Sequence, residues 1–444
     1  MKTLERSNFD ALADAVCAAA KPGERSSLLL KAESSDFIRF NRAAVRQATQ
    51  VEQAHATVAL TQGQRRAEGR VTLTGQLDAD VATLRRELDT LRALLPDVAE
   101  DPWLLLPEAP LHSERHERGE LPSAAQVVGC VSEAARGLDF VGFHAAGPVL
   151  RAFADSQGTR HWHHVESFHT EWCLYHAADK AVKSSYAGSQ WRDAEFARRV
   201  AEGAQRLALI ARTARQLAPG EYRTWLAPAA MAELLATLGW GGFSLKARRT
   251  GTSTLMRLAQ RDAALSPQFN LFEHTAQGSA PGFTVEGFAR PARVGLIEQG
   301  LATGTLANAR SAREYGAPAN GANAEEMPES LSLQPGTLAE GQAMQSLGTG
   351  LWVSNLWYLN YSDRQACRMT GMTRFACLWV ENGEPVAPVA VMRFDDSFLR
   401  MFGEGLVGLS DRAELIADGD TYAERRLAST STPGALIDGW RLTL

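Results

Sequence analysis

The stretch GLWVSNLWYLNYSDRQACRMTGMTRFACLWVENGEPVAPV, residues 350–389, alternates apolar runs with glycine corners. Within it Leu351–Val353 and Ala376–Val380 have the composition of core strands, and Pro388–Phe394 carries the pattern just beyond it. Glu381-Asn382-Gly383-Glu384 predicts a hairpin turn, because Asn-Gly accepts the left-handed backbone that a two-residue turn requires. The surroundings agree. Residues 220–444 hold 25 glycines against 12 in residues 1–219. Glycine serves corners, bulges and close backbone approach, so the second half is expected to be β-rich and to start at Pro219–Gly220. It opens with a strand, Glu221–Leu226, and a helix whose first-turn Pro228 precedes Met231, Leu234, Leu235 and Leu238. A final helix near 396–407 and a strand, Ile437–Leu442, are expected to close it. Residues 313–330 (REYGAPANGANAEEMPES) are polar and rich in turn residues, as in a mobile loop or lid.

Upstream of residue 220 the order is helix, strands, helix, and then the same again. Residues 5–20 put Phe9, Leu12, Val16 and Ala19 on one helical face. Short alternating runs such as Phe37–Phe40 and Thr57–Leu60 lie between Ser26 and Thr74. Asp78 or Asp80 is the expected cap of a helix carrying Val81, Leu84, Leu88, Leu91 and Leu95. After a Pro-rich connector, Pro96–Pro122, come a helix near 123–136, strands across 139–188 and a helix near 193–216. A shift of 114 residues lays Arg46, Val51, Glu52, His55 and Leu60 on Arg160, Val165, Glu166, His169 and Leu174. With the repeated order, this points to a duplication, 1–95 and 121–217, building one long antiparallel sheet backed by helices. The expected class is α+β, with one domain over 1–219 and a β-rich one over 220–444.

The net charge of −5 is mild, and no basic stripe interleaves with aromatics, so nucleic acid is not an expected ligand. Five scattered cysteines without a C-x-x-C pair read as reduced thiols of a cytoplasmic protein. Charged residues interrupt the first twenty positions, against a signal peptide, and the purest apolar stretch, Trp103–Leu106, is far too short to span a membrane.

The densest group of potential ligands is His161, His163, His164, His169 and His176, with Glu166, Glu171 and Cys173 nearby. His161 and His163 share a strand face, and His169 or Glu171 would be needed to complete a metal site. The other reading is a set of neutral histidines on a sheet face, exposed or buried, that contacts a peptide or an interface. It is preferred because histidines and tryptophans alternating along an antiparallel hairpin are more often a sheet face or a satisfied core than a metal site. There is no G-x-S-x-G elbow, no signature around Cys367 or Cys377, no phosphate loop and no dinucleotide fingerprint.

Residues 350–389 resemble the C-terminal signature of the TldD/PmbA (TldD/TldE) family, with its ENG hairpin followed by Pro-Val. ARVGLIEQGLATGTLANARSAREYG (292–316) is similar to the family segment leading into a flexible loop. Phe153–Gly158 is similar to its N-terminal turn, and Asp179–Lys183 to the motif after it. The resemblance implies an α/β N-terminal domain and a barrel-like C-terminal one. Catalytic members carry H-E-x-x-x-H on a helix and a later cysteine; the histidines hold a metal and the glutamate serves as base. The matching helix here, APAAMAELLATLGWGG (227–242), has Ala236 and Gly241 for the histidines and Thr237 for the glutamate. The cysteine's stretch reads Asn355-Leu356-Trp357-Tyr358, and Cys367 comes only later.

The resemblance is thus to the metal-free TldE/PmbA-type subunit, which works with a TldD-like partner on unfolded peptides. It implies no catalytic residue and no cofactor in this chain, with the metal, expected to be zinc, in the partner. Asn355, Trp357, Tyr358, Arg374 and Asn382 are candidates for binding substrate or partner. Against that, Trp357 and Tyr358 would pack a core, Arg374 would pair a local carboxylate, and Asn382 would only make a turn, which is the preferred reading for Asn382. Two other functions stay open: an independent metal hydrolase built on His161–His176, and a non-enzymatic homodimeric peptide-binding scaffold.

Overall fold

Alternation of small and branched apolar residues with polar ones runs through the first half in long strands. A computed structural model describes residues 2–177 and 180–443; Asp179 of the Asp179–Lys183 motif lies outside them. The strands are β1 (Arg25–Asn41), β2 (Ala44–Gln62), β3 (Arg65–Thr72), β4 (His112–Glu117), β5 (Asp139–Asp155), β6 (Arg160–Ala177) and β7 (Lys180–Gly188). Among the described residues they form one sheet, β3-β2-β1-β5-β6, with β4 and β7 sharing the outer edge of β6. Helices α1 (Arg6–Cys17) and α2 (Leu77–Leu94) flank the first hairpin in the chain, and α3 (Ala124–Ala134) and α4 (Asp193–Ile210) the second.

The two halves share order and register. Arg25 pairs with Thr61 in the first hairpin and Asp139 with Tyr175 in the second. A shift of 114 residues turns the first pair into the second, and the rest of the hairpin follows as far as the bulge at Arg39/Phe40. Even-numbered residues such as Leu28, Leu30, Ala56, Val58, Leu150 and Ala152 pack against α1 and α2. Phe140, Phe168, Trp172 and Leu174 pack against α3 and α4. Odd-numbered residues face the other way, toward the second half.

The second half contains β8 (Gly220–Leu226), β9 (Leu271–Glu273), β10 (Val294–Glu298), β11 (Leu301–Ala302), β12 (Ser330–Leu333), β13 (Gly350–Asp363) and β14 (Arg368–Glu381). It continues with β15 (Glu384–Pro388), β16 (Arg393–Ser397), β17 (Leu406–Ala417) and β18 (Ser429–Leu442). Strand β8 pairs in parallel with β13 and antiparallel with β18, so β18-β16-β14-β13-β8 closes into a barrel. Closure removes the free edges that an open sheet would expose. Helix α5 (Pro228–Leu238) seats Met231, Leu234, Leu235 and Leu238 on Leu226, Val353 and Ile437. Each such side chain contributes roughly 1.5–3 kcal/mol. On the other side Trp225, Trp352, Leu378 and Leu436 meet Ile210 of α4.

Several expectations need correction. Neither Asp78 nor Asp80 caps α2, whose N-cap is Gln76. Asp80 is buried and instead accepts hydrogen bonds from the backbone N–H groups of Thr74 (2.8 Å) and Gly75 (2.9 Å). The connector 96–122 holds the parallel strand β4, and α4 stops at Ile210, short of 216. Pro388–Phe394 is the end of β15 and the start of β16, and the helix near 396–407 shrinks to Phe398–Met401. There Gly403 lies so close to Leu399 that a Cβ would meet its carbonyl oxygen at 2.4 Å. Residues 316–329 run without helix or strand, as read from the sequence, and within them the buried Glu326 carboxylate accepts the N–H groups of Lys246 (2.9 Å) and Asn308 (3.0 Å) and also engages Ser244. Asn382 and Gly383 both take positive φ in the β14–β15 turn, as read from the sequence.

Candidate functional site

The face of α5 turned away from the core carries Ala229, Ala232, Glu233 and Ala236 and borders a cleft of about 450 Å³. Proline at the first turn starts this helix and Gly239 ends it, which leaves Trp240 half-exposed beside the opening. Glu171 of β6 and Lys183, Ser184 and Ser185 of β7 line the cleft, as do Asn355 of β13 and Asp418–Gly419 after β17. It thus lies between the duplicated sheet and the barrel.

Glu171 is committed to Lys183, at 2.7 Å. Glu233 is the sole charged residue of α5. Its carboxyl is pushed upward by burial in the cleft and by Glu171, against a pull downward from Lys183. The sequence signal for Glu233 is a single charge inside the apolar run AAMAELLATL.

Asn355 is 7% exposed and lines the cleft. Trp357 and Tyr358, at 49% and 74% exposure, do not pack a core. They stand on a bulged part of β13, with the Arg374 guanidinium 4.7 Å from the Trp357 ring centre. Tyr358 and Phe375 both have positive φ. Asn382 is not brought to this group. It sits in the hairpin turn eight residues beyond Arg374 on a nearly continuous strand, roughly 26 Å away at 3.3 Å per residue.

Of the positions matched to the family's metal motif, Ala236 faces the cleft. Thr237 turns inward and donates its hydroxyl to the Glu233 carbonyl (2.9 Å), and Gly241 lies past the helix end at φ +84°. These residues do not fit a metal: one offers only a committed hydroxyl and two offer nothing. Among the described residues no three His, Cys, Asp or Glu side chains gather as a ligand set. The thiols of Cys367 and Cys377 are buried and pushed up to about 12 by desolvation.

Two histidines of the cluster, His161 and His163, dock the two halves. His161 takes the Ser113 hydroxyl at Nδ1 (2.7 Å), and its Nε2 donates to the Gly287 carbonyl (2.9 Å). His163 Nε2 donates to the Ser279 carbonyl (3.0 Å). Phe283 stacks on His161, with ring centres 4.8 Å apart. The loop between β9 and β10 is thereby latched to the odd face of the first sheet. His169 abuts Gly419, and Glu171 pairs with Lys183, so the four proposed ligands do not converge.

Burial pushes the His163 imidazole down to about 3, with nearby Arg115 adding to the effect, and it also lowers His161. The folded chain therefore binds fewer protons than the unfolded one below the ordinary value of 6.5. Stability is complete above that pH and is lost as pH falls from 6.5 toward 3. The melting temperature is expected to drop between pH 7.5 and 5, and His163→Gln, which keeps a donor but no titration, should flatten that drop. An identical drop in the variant would exclude this latch as its source.

A sheet of two hairpins in the same register, latched onto a barrel with a helix-lined cleft between them, defines the class of protein. Residues 219–443 match the family described as the PmbA/TldA metallopeptidase C-terminal domain. The chain belongs to the PmbA/TldD family. The fold matches TldE from Thermococcus kodakarensis with a TM-score of 0.81 at 12% identity, covering 98% of this chain and 100% of that one. A proposed modulator of a DNA gyrase from Thermotoga maritima matches at 0.77, with 14% identity and 98% and 100% coverage. A second proposed gyrase modulator, from Bacteroides thetaiotaomicron, matches at 0.73, with 12% identity and 99% coverage of both chains. No curated protein sequence matches the chain. Among the described residues no helix is long and apolar enough to cross a membrane.

Proposed function

We propose that this chain is the metal-free, TldE-like subunit of a two-chain peptidase, in which a TldD-like partner bearing H-E-x-x-x-H supplies the metal, zinc by expectation. The observation that carries the reading is the cleft face of α5. Where the catalytic kind places imidazoles and a base, this helix presents alanines and Glu233, followed by Gly241. The likeness to a protein named TldE supports it. The role left to the chain is to wall the chamber and hold an unfolded peptide. The cleft and the exposed Trp357–Tyr358–Arg374 group provide surfaces for substrate and partner.

Co-expression with a TldD-like chain tests this. The two chains are expected to co-purify and to cleave an unfolded peptide faster than the partner alone. A mixture that cleaves no better than the partner would refute the subunit role. An independent hydrolase on the His161–His176 cluster is disfavoured, since His161 and His163 already hold the domain contact.

A further inference from the structure

We infer that the α5 cleft binds the primary ammonium group of a peptide, with the Glu233 carboxylate taking the charge and the Asn355 amide taking the adjoining peptide unit. This rests on the peptide-handling role proposed above and specifies what the cleft selects. Asn355 is 93% buried by its 7% exposure, yet among the described residues nothing hydrogen-bonds to its side-chain amide. The amide is not among the sealed side-chain atoms left without a partner, so it is open to the cleft it lines, and its acceptor and two donors are free to meet the N–H and C=O of a peptide unit.

The charges give the sign of the ligand. Three carboxylates, Glu171, Glu233 and Asp418, line the cleft beside one cation, Lys183. Lys183 is taken by Glu171, and one Asp418 oxygen accepts the Asp420 N–H at 2.9 Å. Among the described residues Glu233 has no ion-pair or hydrogen-bond partner for its side chain. The cleft is too poor in converging ligands for a divalent cation, as the missing ligand set shows. A compact ammonium needs only one desolvated carboxylate and a neighbouring acceptor. Ala229, Ala232 and Ala236 keep the α5 wall low, and a volume near 450 Å³ falls in the range of small-ligand sites. Burial that disfavours the ionised Glu233 is offset when a cation arrives.

The ammonium has two sources, an α-amino terminus or a lysine side chain. The test uses the full chain and short alanine peptides labelled at the C-terminus, read by fluorescence anisotropy. The free-amine peptide is expected to bind about tenfold more tightly than its N-acetylated form, the scale of one charge-assisted hydrogen bond. Glu233→Gln should erase that preference, and Asn355→Leu should weaken both peptides alike. Circular dichroism verifies that each variant is folded. If an N-acetylated peptide with one lysine regains the affinity, the cleft takes either ammonium; if it does not, it takes the terminus alone. Equal binding of free and acetylated peptides, a preference that survives Glu233→Gln, or no binding by the folded chain would overturn the inference. Cleavage by the co-expressed pair is scored separately, so stimulated cleavage without an ammonium preference sinks this inference alone. An ammonium preference without stimulation sinks only the subunit role.

Discussion

Arg425→Met is expected to destabilise the chain by about 3–5 kcal/mol, the scale of breaking a buried charge network from one side. Arg425 is 5% exposed and sits between β17 and β18, on an arm that the barrel extends over the odd face of the first sheet. Its guanidinium donates to the carbonyls of Gly147 and Ser167, both at 2.9 Å, and to the Ser167 hydroxyl at 2.9 Å. Close by, Glu33 is 2% exposed and accepts from Ser35 (2.9 Å) and Gln53. Burial pushes the Arg425 guanidinium down to about 10, with Glu33 opposing, so it remains charged at neutral pH. Methionine would fill much of the volume but leave two carbonyls unsatisfied and Glu33 without its cation. The neighbouring Glu424 pairs with Lys31 (2.9 Å) and Arg151 (3.1 Å), which localises the effect to this arm.

The readouts are the midpoint of the first thermal transition and proteolytic nicking within 418–428. Asp418 and Gly419 also line the cleft, so peptide binding should weaken in parallel. Arg425→Lys keeps the charge but not the planar fork, and should fall between the wild type and Arg425→Met. Wild-type melting and nicking in both variants would show that the arm does not hold the domains together.

The arm also explains which parts of the fold were legible. The shift of 114 residues rested on five identities in β2 and β6, and these strands hold the same register in their hairpins. Periodicity found the helix-facing side of the sheet, because Leu28, Leu30, Val58 and Leu60 are apolar. It broke long strands into short runs where Glu33, Gln53 and His55 interrupt, and these residues face elements more than 300 positions away in the chain, such as Arg425 and Ala423. A local reading has no access to such partners. The same cause hides the partners of His161 and His163 from a local reading, since their acceptors, Gly287 and Ser279, come from the other half. Glu326 is a similar case: composition marks 313–330 as a loop, but not that one of its carboxylates is buried against Lys246 and Asn308.

Gly147→Ala is expected to cost about 3–5 kcal/mol, through overpacking and a backbone conformation poorly suited to an L side chain. Gly147 lies in β5 with φ +140°, and an added Cβ would stand 2.0 Å from the Ser34 carbonyl oxygen in β1. Both groups are backbone at the centre of a sheet, so neither can swing aside. The pairing of β1 with β5 is interrupted there, between Glu33↔Val149 and Asp36↔Ala146. Under the shift of 114 residues Gly147 corresponds to Glu33, so the two halves differ where they meet: one supplies a carboxylate and the other a bare carbonyl. Arg425 contacts both, through its backbone N–H to Glu33 (3.4 Å) and its guanidinium to Gly147. The arm thus docks where the otherwise matching registers carry different residues. Gly63→Ala is the control, since it also has positive φ (+59°) but nothing within 4 Å of the new Cβ, and it should cost about 1 kcal/mol. The double variant Gly147→Ala with Arg425→Met should lose less than the two single losses combined, because a Gly147 backbone displaced by its clash with Ser34 also shifts the carbonyl that Arg425 binds. Melting of Gly147→Ala at the temperature of Gly63→Ala would refute the close approach, and strict additivity would refute the shared contact.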